Sequence, residues 1–181
     1  ILLPRPHHFR DRMAAMAKRR AGVLLHITSL PGPHGTGDLG SPAVSFARWM
    51  REAQLSVWQL LPFGPTGQGN SPYLAASAFA GNPLCIALEP LVADGLLTRA
   101  ELAAPPVFPG ERVAFDQVLP WKLARLRVAF TRFAGLAPLR DEAAAFAQSA
   151  SAWLEDWALF AVLKAAHGGE AAVTESPLGG A

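Results

Sequence analysis

Cysteine is nearly absent from the 181-residue sequence. Cys85 is the only one, which excludes an internal disulfide framework and any zinc site built from several cysteines. No HExxH motif and no cluster of carboxylates is present either, so the sequence predicts no metal site. Because Cys85 lies in an apolar segment, we expect it to be a small buried hydrophobic residue.

Charge is missing from a long central stretch. No Asp, Glu, Lys or Arg lies between residues 53 and 88, a length that would span a bilayer if it were helical. Four prolines and four glycines interrupt this stretch, and they prevent one continuous helix. The apolar run at 21–25 is too short for a signal peptide, and no plausible cleavage site follows it. The sequence therefore predicts a cytoplasmic protein with no membrane partner.

The net charge of +2 is unevenly distributed. The first twenty residues hold six basic groups against Asp11, so this segment carries +5 and the remainder −3. The segment has no helical or strand period, and we expect a disordered basic arm at 1–20. A basic tail is weak support for nucleic-acid binding. A nucleic-acid-binding module is therefore the least favoured interpretation, and no nucleic-acid partner is expected.

Apolar runs after the arm predict a βαβ unit. Gly22–Thr28 and Val57–Leu61 are short and rich in aliphatic residues, as is typical of buried strands. Between them, apolar residues recur at helical spacing to about Gln54, with Ser41 as the expected N-cap and Pro42 as the first helical residue. Strand, helix and strand within about forty residues indicate a parallel sheet and an α/β fold.

The segments after the second strand predict mixed structure. Asn82–Glu89 contains a candidate third strand, LCIAL, and a short helical piece is expected near Pro90–Leu97. A proline-rich linker follows around 104–110.

Two amphipathic helices are predicted in the last third of the chain. The first carries an apolar stripe from Leu123 to Phe133, and the second extends from about Asp141 to Ala166. The charged side chains of both, including Lys122, are expected to form solvated faces. Residues 170–181 have no period and predict a disordered tail.

Polar, mostly uncharged side chains concentrate in the two loops that follow the predicted strands. They are His26, Thr28, Ser29, His34 and Asp38 in the first loop and Gln68, Asn70, Ser71 and Tyr73 in the second. Long loops after the C-terminal ends of parallel strands are where α/β barrels build their sites. Neutral donors and acceptors beside an aromatic ring match the hydroxyls and the C–H face of a sugar. The alternative, favoured by composition alone, is that these residues only form tight turns.

Individual histidines and tryptophans also allow two interpretations. His26 lies in an apolar strand, which favours a buried, hydrogen-bonded histidine over a catalytic one. His167 ends a helix and is expected to interact with the helix dipole. Trp153 and Trp157, four residues apart, are expected to be core residues and not a platform for a sugar.

Three long motifs resemble one known family. GVLLHITSLPGPHGTGDLGSPAVSFARWM, VWQLLPFGPTGQGNSPYLAASAFAGNPLCI and WLEDWALFAVLKAAHGG are similar, in this order, to segments of amylomaltases. These enzymes are 4-α-glucanotransferases, also called disproportionating enzymes. The resemblance covers about residues 20–169.

The resemblance implies a fold and an activity. The family has a (β/α)₈ barrel with inserted, mainly helical subdomains, so the fold class expected here is the N-terminal part of such a barrel over 21–169, incomplete in this chain. Its members transfer α-1,4-glucan segments between maltooligosaccharides by a retaining mechanism, without a cofactor. The nucleophilic Asp and the acid/base Glu belong to later strands, so the resemblance implies that both lie beyond residue 181.

The resemblance also implies sugar contacts within this chain. Tyr73 of NSPY resembles a tyrosine that stacks on the sugar at the cleavage site, and Ser71 resembles a serine that hydrogen-bonds nearby. Asn70, Asp38 and His26 are expected to support substrate binding. Some members have Tyr in place of Gln68, a position linked to a second glucan site, and some have Asp in place of Asn70. The alternative to an enzyme is an inactive remnant or a non-catalytic glucan-binding fragment.

Overall fold

A computed structural model describes residues 19–103 and 105–167, and the predicted arm and tail lie outside these residues apart from Arg19 and Arg20. The βαβ unit is confirmed. Strands β1 (Gly22–Leu24) and β2 (Val57–Gln59) pair in parallel, with Gly22 opposite Val57 and Leu24 opposite Gln59. Helix α1 (Ser41–Glu52) connects them. Both strands are shorter than predicted, because the chain turns into loops directly after three paired residues.

Helix α1 begins one residue earlier than the sequence suggested. Gly40 is its N-cap, so the prediction of Ser41 as N-cap was wrong, although Pro42 does lie in the first turn. The reason is that the Asp38 carboxylate accepts the Gly40 N–H at 3.0 Å and fixes the entry to the helix. Phe46 of α1 packs edge-on against Trp58 of β2, with ring centroids 4.7 Å apart.

The predicted third strand is absent from the described residues. Pro83–Cys85 forms a 3₁₀ turn, since the Asn82 side chain accepts the Leu84 N–H at 2.9 Å. Such a local side-chain bond competes with strand pairing. Cys85 is buried as predicted.

The remaining elements of the described chain are helices, joined by turns and irregular segments. Helix α2 (Glu89–Ala93) begins one residue before the predicted piece and ends inside it. Helix α3 (Arg99–Leu102) begins with a capping box of Thr98 and Glu101 that the prediction missed. Helix α4 (Phe115–Phe133) contains the predicted apolar stripe.

The predicted helix from Asp141 to Ala166 is two helices, α5 (Ala137–Ser149) and α6 (Leu154–Ala166). At the break, the Ser149 hydroxyl donates to the Phe146 carbonyl at 2.8 Å, and Ala150 caps α5 through the same carbonyl. Serine back-bonding of this kind weakens the ladder of a helix.

The buried apolar residues form two clusters. The first combines Leu88, Leu96 and Leu97 with Trp121 and Ala129 of α4. The second packs beneath the loop after β1 and consists of Ile27, Leu30, Ala43 and Cys85. Trp153 and Trp157 belong to neither and are only half-buried, so their prediction as core residues was wrong. Among the described residues, every helix is too short or too polar to span a lipid bilayer.

Candidate sugar-binding site

The loops after β1 and β2 lie side by side at the C-terminal edge of the parallel pair. The Leu25 N–H donates to the Gln59 carbonyl at 3.0 Å, and the Trp58 indole donates to the Leu25 carbonyl at 2.8 Å. These bonds hold the two loops together where the strands end. The structure therefore brings the two predicted polar loops to one edge of the sheet.

A cavity of about 150 Å³ separates the two loops. It is lined by His26, Thr28, Ser29, Leu61, Thr66, Asn70, Pro72, Asn82 and Phe115. None of these side chains carries a carboxylate, and most of the polar ones are neutral donors or acceptors. The cavity has the chemistry expected of a sugar contact and lacks that of bond cleavage.

His26 is one of the residues that line this cavity. It follows β1 and caps the 3₁₀ turn Ile27–Ser29, where its Nδ1 accepts the Thr28 N–H at 3.3 Å and lies 2.8 Å from the Thr28 hydroxyl. Because Nδ1 accepts a backbone proton, the neutral ring carries its proton on Nε2. Nε2 is buried with no hydrogen-bond partner among residues 19–103 and 105–167. The ring is therefore buried as predicted, yet it keeps one donor unused.

The loop after β2 presents Tyr73 to solvent. Its ends are closed by an antiparallel bridge between Thr66 and Ala75 and by the Gly67 N–H donating to the Leu74 carbonyl at 3.1 Å. Two 3₁₀ turns, Gln68–Asn70 and Pro72–Leu74, form its tip. Tyr73 is 72% exposed, so one ring face is open to a ligand.

Ser71 and Asn70 occupy the same tip. Both are half-buried, and Asn70 adopts a left-handed conformation with φ of 54°. Asparagine tolerates that conformation better than most residues. Asn70 and Pro72 line the cavity on either side of Ser71. The binding roles of Tyr73, Ser71, Asn70 and His26 stay predictions, as does the doubt about a second glucan site at Gln68.

Asp38 lies elsewhere, at the base of the first loop. It is 1% exposed, and the Lys122 ammonium lies 3.3 Å from its Oδ2. Lys122 is equally buried and also donates to the Leu84 carbonyl at 2.6 Å. Lys122 was therefore wrongly predicted to be solvated. With both Asp38 oxygens engaged, the geometry supplies a structural role, and the ligand role predicted for Asp38 stays a prediction.

The spacing of apolar residues in α4 does indicate that Lys122 is buried. The buried residues of α4 are Val118, Trp121, Lys122 and Ala129. The last three follow Val118 by three, four and eleven residues, which places all four on one face of the helix. Lys122 thus falls on the core-facing side of the helical period. A lysine there requires a buried acceptor, which the sequence alone does not locate.

Burial changes the acid–base behaviour around this ion pair. Desolvation holds the pKa of Lys122 below its usual value, opposed by the Asp38 charge. Desolvation also raises the pKa of the Cys85 thiol to about 11. The thiol is therefore protonated at neutral pH and is a poor nucleophile.

His34, Asp38 and Glu89 form the group of possible metal ligands in the described ranges. Their ligand atoms lie within 4.8 Å of one another. The Lys122 ammonium already places a positive charge 3.3 Å from Asp38, which opposes the entry of a divalent cation. The group is therefore better described as an ion pair with a neighbouring histidine than as a metal centre.

We predict that His34 makes the fold less stable below neutral pH. Its ring stacks on Trp121 at 5.1 Å, and burial lowers its pKa below 6.5, with Lys122 and Arg125 acting in the same direction and Glu89 and Asp38 opposing. The unfolded chain therefore binds a proton at higher pH than the folded protein, and stability falls as the pH drops through about 6.5.

Urea unfolding of the 181-residue protein between about pH 7 and pH 5.5 measures this effect. His34→Phe keeps the stacking and is expected to flatten the fall, whereas His167→Phe at the end of α6 is expected to retain it. Glu101 does not contribute to the change in stability over this pH range, since its hydrogen bonds to Arg132 lower its pKa to about 2. An equal pH dependence in the protein and in His34→Phe would contradict the prediction.

His167 itself lies where the sequence predicted. It caps the C-terminus of α6, and its Nδ1 is 2.9 Å from the Leu163 carbonyl. A ring N–H donated to one of the last carbonyls of a helix is favourable to the helix dipole.

Known proteins of one family are similar to this chain. The chain is 49% identical over 153 residues to a 4-alpha-glucanotransferase of Thermus thermophilus, a match that covers 83% of this chain and 30% of the relative. It is 47% identical over 154 residues to a 4-alpha-glucanotransferase of Synechocystis, covering 84% and 30%. An amylomaltase from Streptococcus agalactiae, solved in complex with acarbose, superposes with a TM-score of 0.79 at 31% identity, covering 84% of this chain and 31% of that one.

The chain therefore spans about 30% of the length of these curated relatives. A family model described as 4-alpha-glucanotransferase matches residues 25–176. On this match, the chain belongs to the 4-alpha-glucanotransferase family.

Proposed function

We propose that this chain is the glucan-contacting portion of an enzyme that transfers α-1,4-glucan segments between maltooligosaccharides. The observation that carries the proposal is the exposed Tyr73 ring beside a cavity of neutral polar groups at the C-terminal edge of a parallel strand pair. Family membership supplies the substrate class. The βαβ unit would then be part of a (β/α)₈ barrel.

The contacts expected of each residue follow from its chemistry. The Tyr73 ring stacks on the C–H face of a pyranose. The Ser71 hydroxyl and the Asn70 amide bond sugar hydroxyls at the same tip. The His26 Nε2–H, buried without a partner, donates to a hydroxyl that enters the cavity. A ligand that satisfies a buried orphan donor gains affinity, because that donor otherwise costs free energy.

Bond cleavage is assigned to residues outside these 181. A retaining glycosidase mechanism needs two carboxyl groups about 5 Å apart across the scissile bond. The cavity has none, and Asp38 is committed to Lys122. Relatives roughly three times as long have room for both. Transfer to a sugar then depends on excluding water from the glycosyl-enzyme, to which acceptor contacts contribute.

We predict that Tyr73→Ala weakens maltotriose binding to the chain by about tenfold, since aromatic stacking and lost area together are worth roughly 1.4 kcal/mol. Tyr73→Phe retains the stacking and is expected to bind within about twofold of the unchanged protein. Isothermal titration calorimetry measures both. Phe130→Ala is the matched control, since Phe130 is 73% exposed and lies on α4.

Equal affinity in Tyr73→Ala and Phe130→Ala would overturn the site.

Glucose release from maltotriose separates the enzyme from the alternative of a non-catalytic glucan-binding fragment. We expect release from a protein extended to the length of the relatives and none from the 181-residue chain. Location in the cytoplasm stays a prediction.

A further inference from the structure

Helix α6 is apolar on every face between its two end turns. Apart from Glu155, Asp156 and Lys164, every residue of Leu154–Ala166 is apolar. A helix that is apolar all round is normally buried, yet no residue of α6 is buried in the described chain. Neither of the two buried clusters includes a residue of this helix. Part of its apolar surface therefore has no packing partner within 19–103 and 105–167.

The helix has an inner and an outer face. Half-buried side chains define the inner face, and they are Leu154, Trp157, Ala161 and Lys164. The opposite face carries an exposed apolar stripe, which consists of Leu159, Val162, Leu163 and Ala166. This spacing of i, i+3, i+4 and i+7 aligns the four side chains in one continuous row. The first three are 50–66% exposed, and a contiguous exposed apolar patch indicates an interaction surface.

The charged residues at the two ends of α6 have opposite signs. Glu155 and Asp156 lie in the first turn, and Lys164 lies in the last turn. Asp156, Phe160 and Lys164 follow one another at intervals of four along one flank of the stripe, and the Lys164 ammonium lies 5.9 Å from the centroid of the Phe160 ring. The stripe is therefore bordered by an acidic group at one end and a basic group at the other.

This distribution of charge complements itself. When two copies of α6 pack antiparallel, the flank of one helix meets the same flank of the other, so that Asp156 of each copy lies at the end that carries Lys164 of its partner. The two helix dipoles also oppose each other in that arrangement. A parallel pair would place both acidic turns at one end, where they repel. A patch that matches itself in this way is what a twofold dimer requires.

We propose that the apolar stripe of α6 is the contact with a second copy of this chain, in a twofold dimer whose α6 helices pack antiparallel. The helix is about 20 Å long, so the contact is small and belongs with the weak, transient interfaces. We expect a dissociation constant on the order of 10 μM. The inference is independent of the proposed function, because no sugar takes part in the contact.

Sedimentation equilibrium of the 181-residue protein over about 1–100 μM tests the dimer, since this range brackets the expected dissociation constant. Val162→Glu places a charge in the stripe and is expected to raise that constant by about tenfold or more. Val44→Glu is the matched control, because Val44 is an exposed valine of α1, and it is expected to leave the constant unchanged. Both substitutions lie at exposed positions, so each variant is expected to keep the circular dichroism spectrum of the unchanged protein.

A pair of charge reversals tests the antiparallel arrangement. Asp156→Lys alone and Lys164→Glu alone each bring like charges together in the antiparallel dimer, and each is expected to weaken it by about threefold to tenfold. An equimolar mixture of the two variants is expected to form a mixed dimer close to the original affinity, because the opposite charges face each other again. Recovery on mixing cannot arise from a damaged helix, since each variant would carry that damage into the mixture.

Three results would overturn the proposal. A protein that stays monomeric over the whole range leaves the stripe to another occupant, such as a further segment of a longer chain. If Val162→Glu associates as tightly as Val44→Glu, two copies meet at a surface other than α6. If the two charge reversals neither weaken the dimer alone nor recover it together, the helices do not pack antiparallel.

Discussion

Replacement of Lys122 with methionine is expected to lower the free energy of unfolding by roughly 3–5 kcal/mol, the usual cost of breaking a buried ion pair from one side. The loss arises because Asp38, 1% exposed, would keep a buried charge with no cation beside it. The Leu84 carbonyl would also lose its donor. Urea unfolding followed by circular dichroism measures the change.

The double variant Lys122→Met/Asp38→Asn distinguishes lost charge balance from lost packing. It removes both charges and leaves an amide oxygen to accept the Gly40 N–H. Since replacing both members of a buried pair is often nearly neutral, we expect it to recover most of the lost stability. Lys164→Met on α6 is the control for removal of a lysine from a less buried position. If Lys122→Met unfolds at the same urea concentration as Lys164→Met, the ion pair does not contribute to stability.

The ion pair matters to the candidate site because it connects three segments. Asp38 belongs to the loop after β1, Lys122 to α4, and Leu84 to the 3₁₀ turn between them. The Leu39 N–H, next to Asp38, donates to the Cys85 carbonyl at 2.9 Å. The loop after β1, which lines the cavity, is thus held by bonds that lie outside the cavity. A substitution distant from the site can therefore alter the affinity of the protein for a sugar by loosening this loop.

Local periodicity was sufficient to predict the βαβ unit. Two short aliphatic runs and one amphipathic helix leave few alternatives, because a crossover of this length imposes parallel pairing. The same periodicity failed across 141–166, where alanine and tryptophan favour one helix and a single bond from Ser149 to Phe146 accompanies its end. It also failed at LCIAL, where the Asn82 side chain caps a 3₁₀ turn at Pro83–Cys85.

The position of the candidate site was predictable from the sequence, but the exposure of its side chains was not. Chain order alone places the loops after β1 and β2 at one edge of a parallel sheet, so their approach was predictable. Which side chains remain exposed was not, because it depends on contacts far apart in sequence. Asp38 is buried by Lys122, 84 residues later, whereas Tyr73 lies in a loop closed on itself and remains exposed.

Substitution of Gly35 with alanine is expected to cost more than the same change at Gly95, although both have nearly the same left-handed φ, 75° and 74°. Alanine in that conformation costs about 1–2 kcal/mol at either position. At Gly35 the new methyl group would also meet the Cβ and ring of Phe108, whereas at Gly95 nothing lies within 4 Å. Overpacking adds about 1–3 kcal/mol. The difference between the two unfolding free energies therefore measures the contact with Phe108.

A double-mutant cycle tests this assignment. In a Phe108→Ala background the ring is gone and only the Cβ remains, so Gly35→Ala is expected to cost less than it does in the presence of Phe108, and the two substitutions should couple by about 1–3 kcal/mol. If the cost of Gly35→Ala is the same with and without Phe108, the two residues do not constrain each other. The loop after β1 would then not be held by Phe108 at this point.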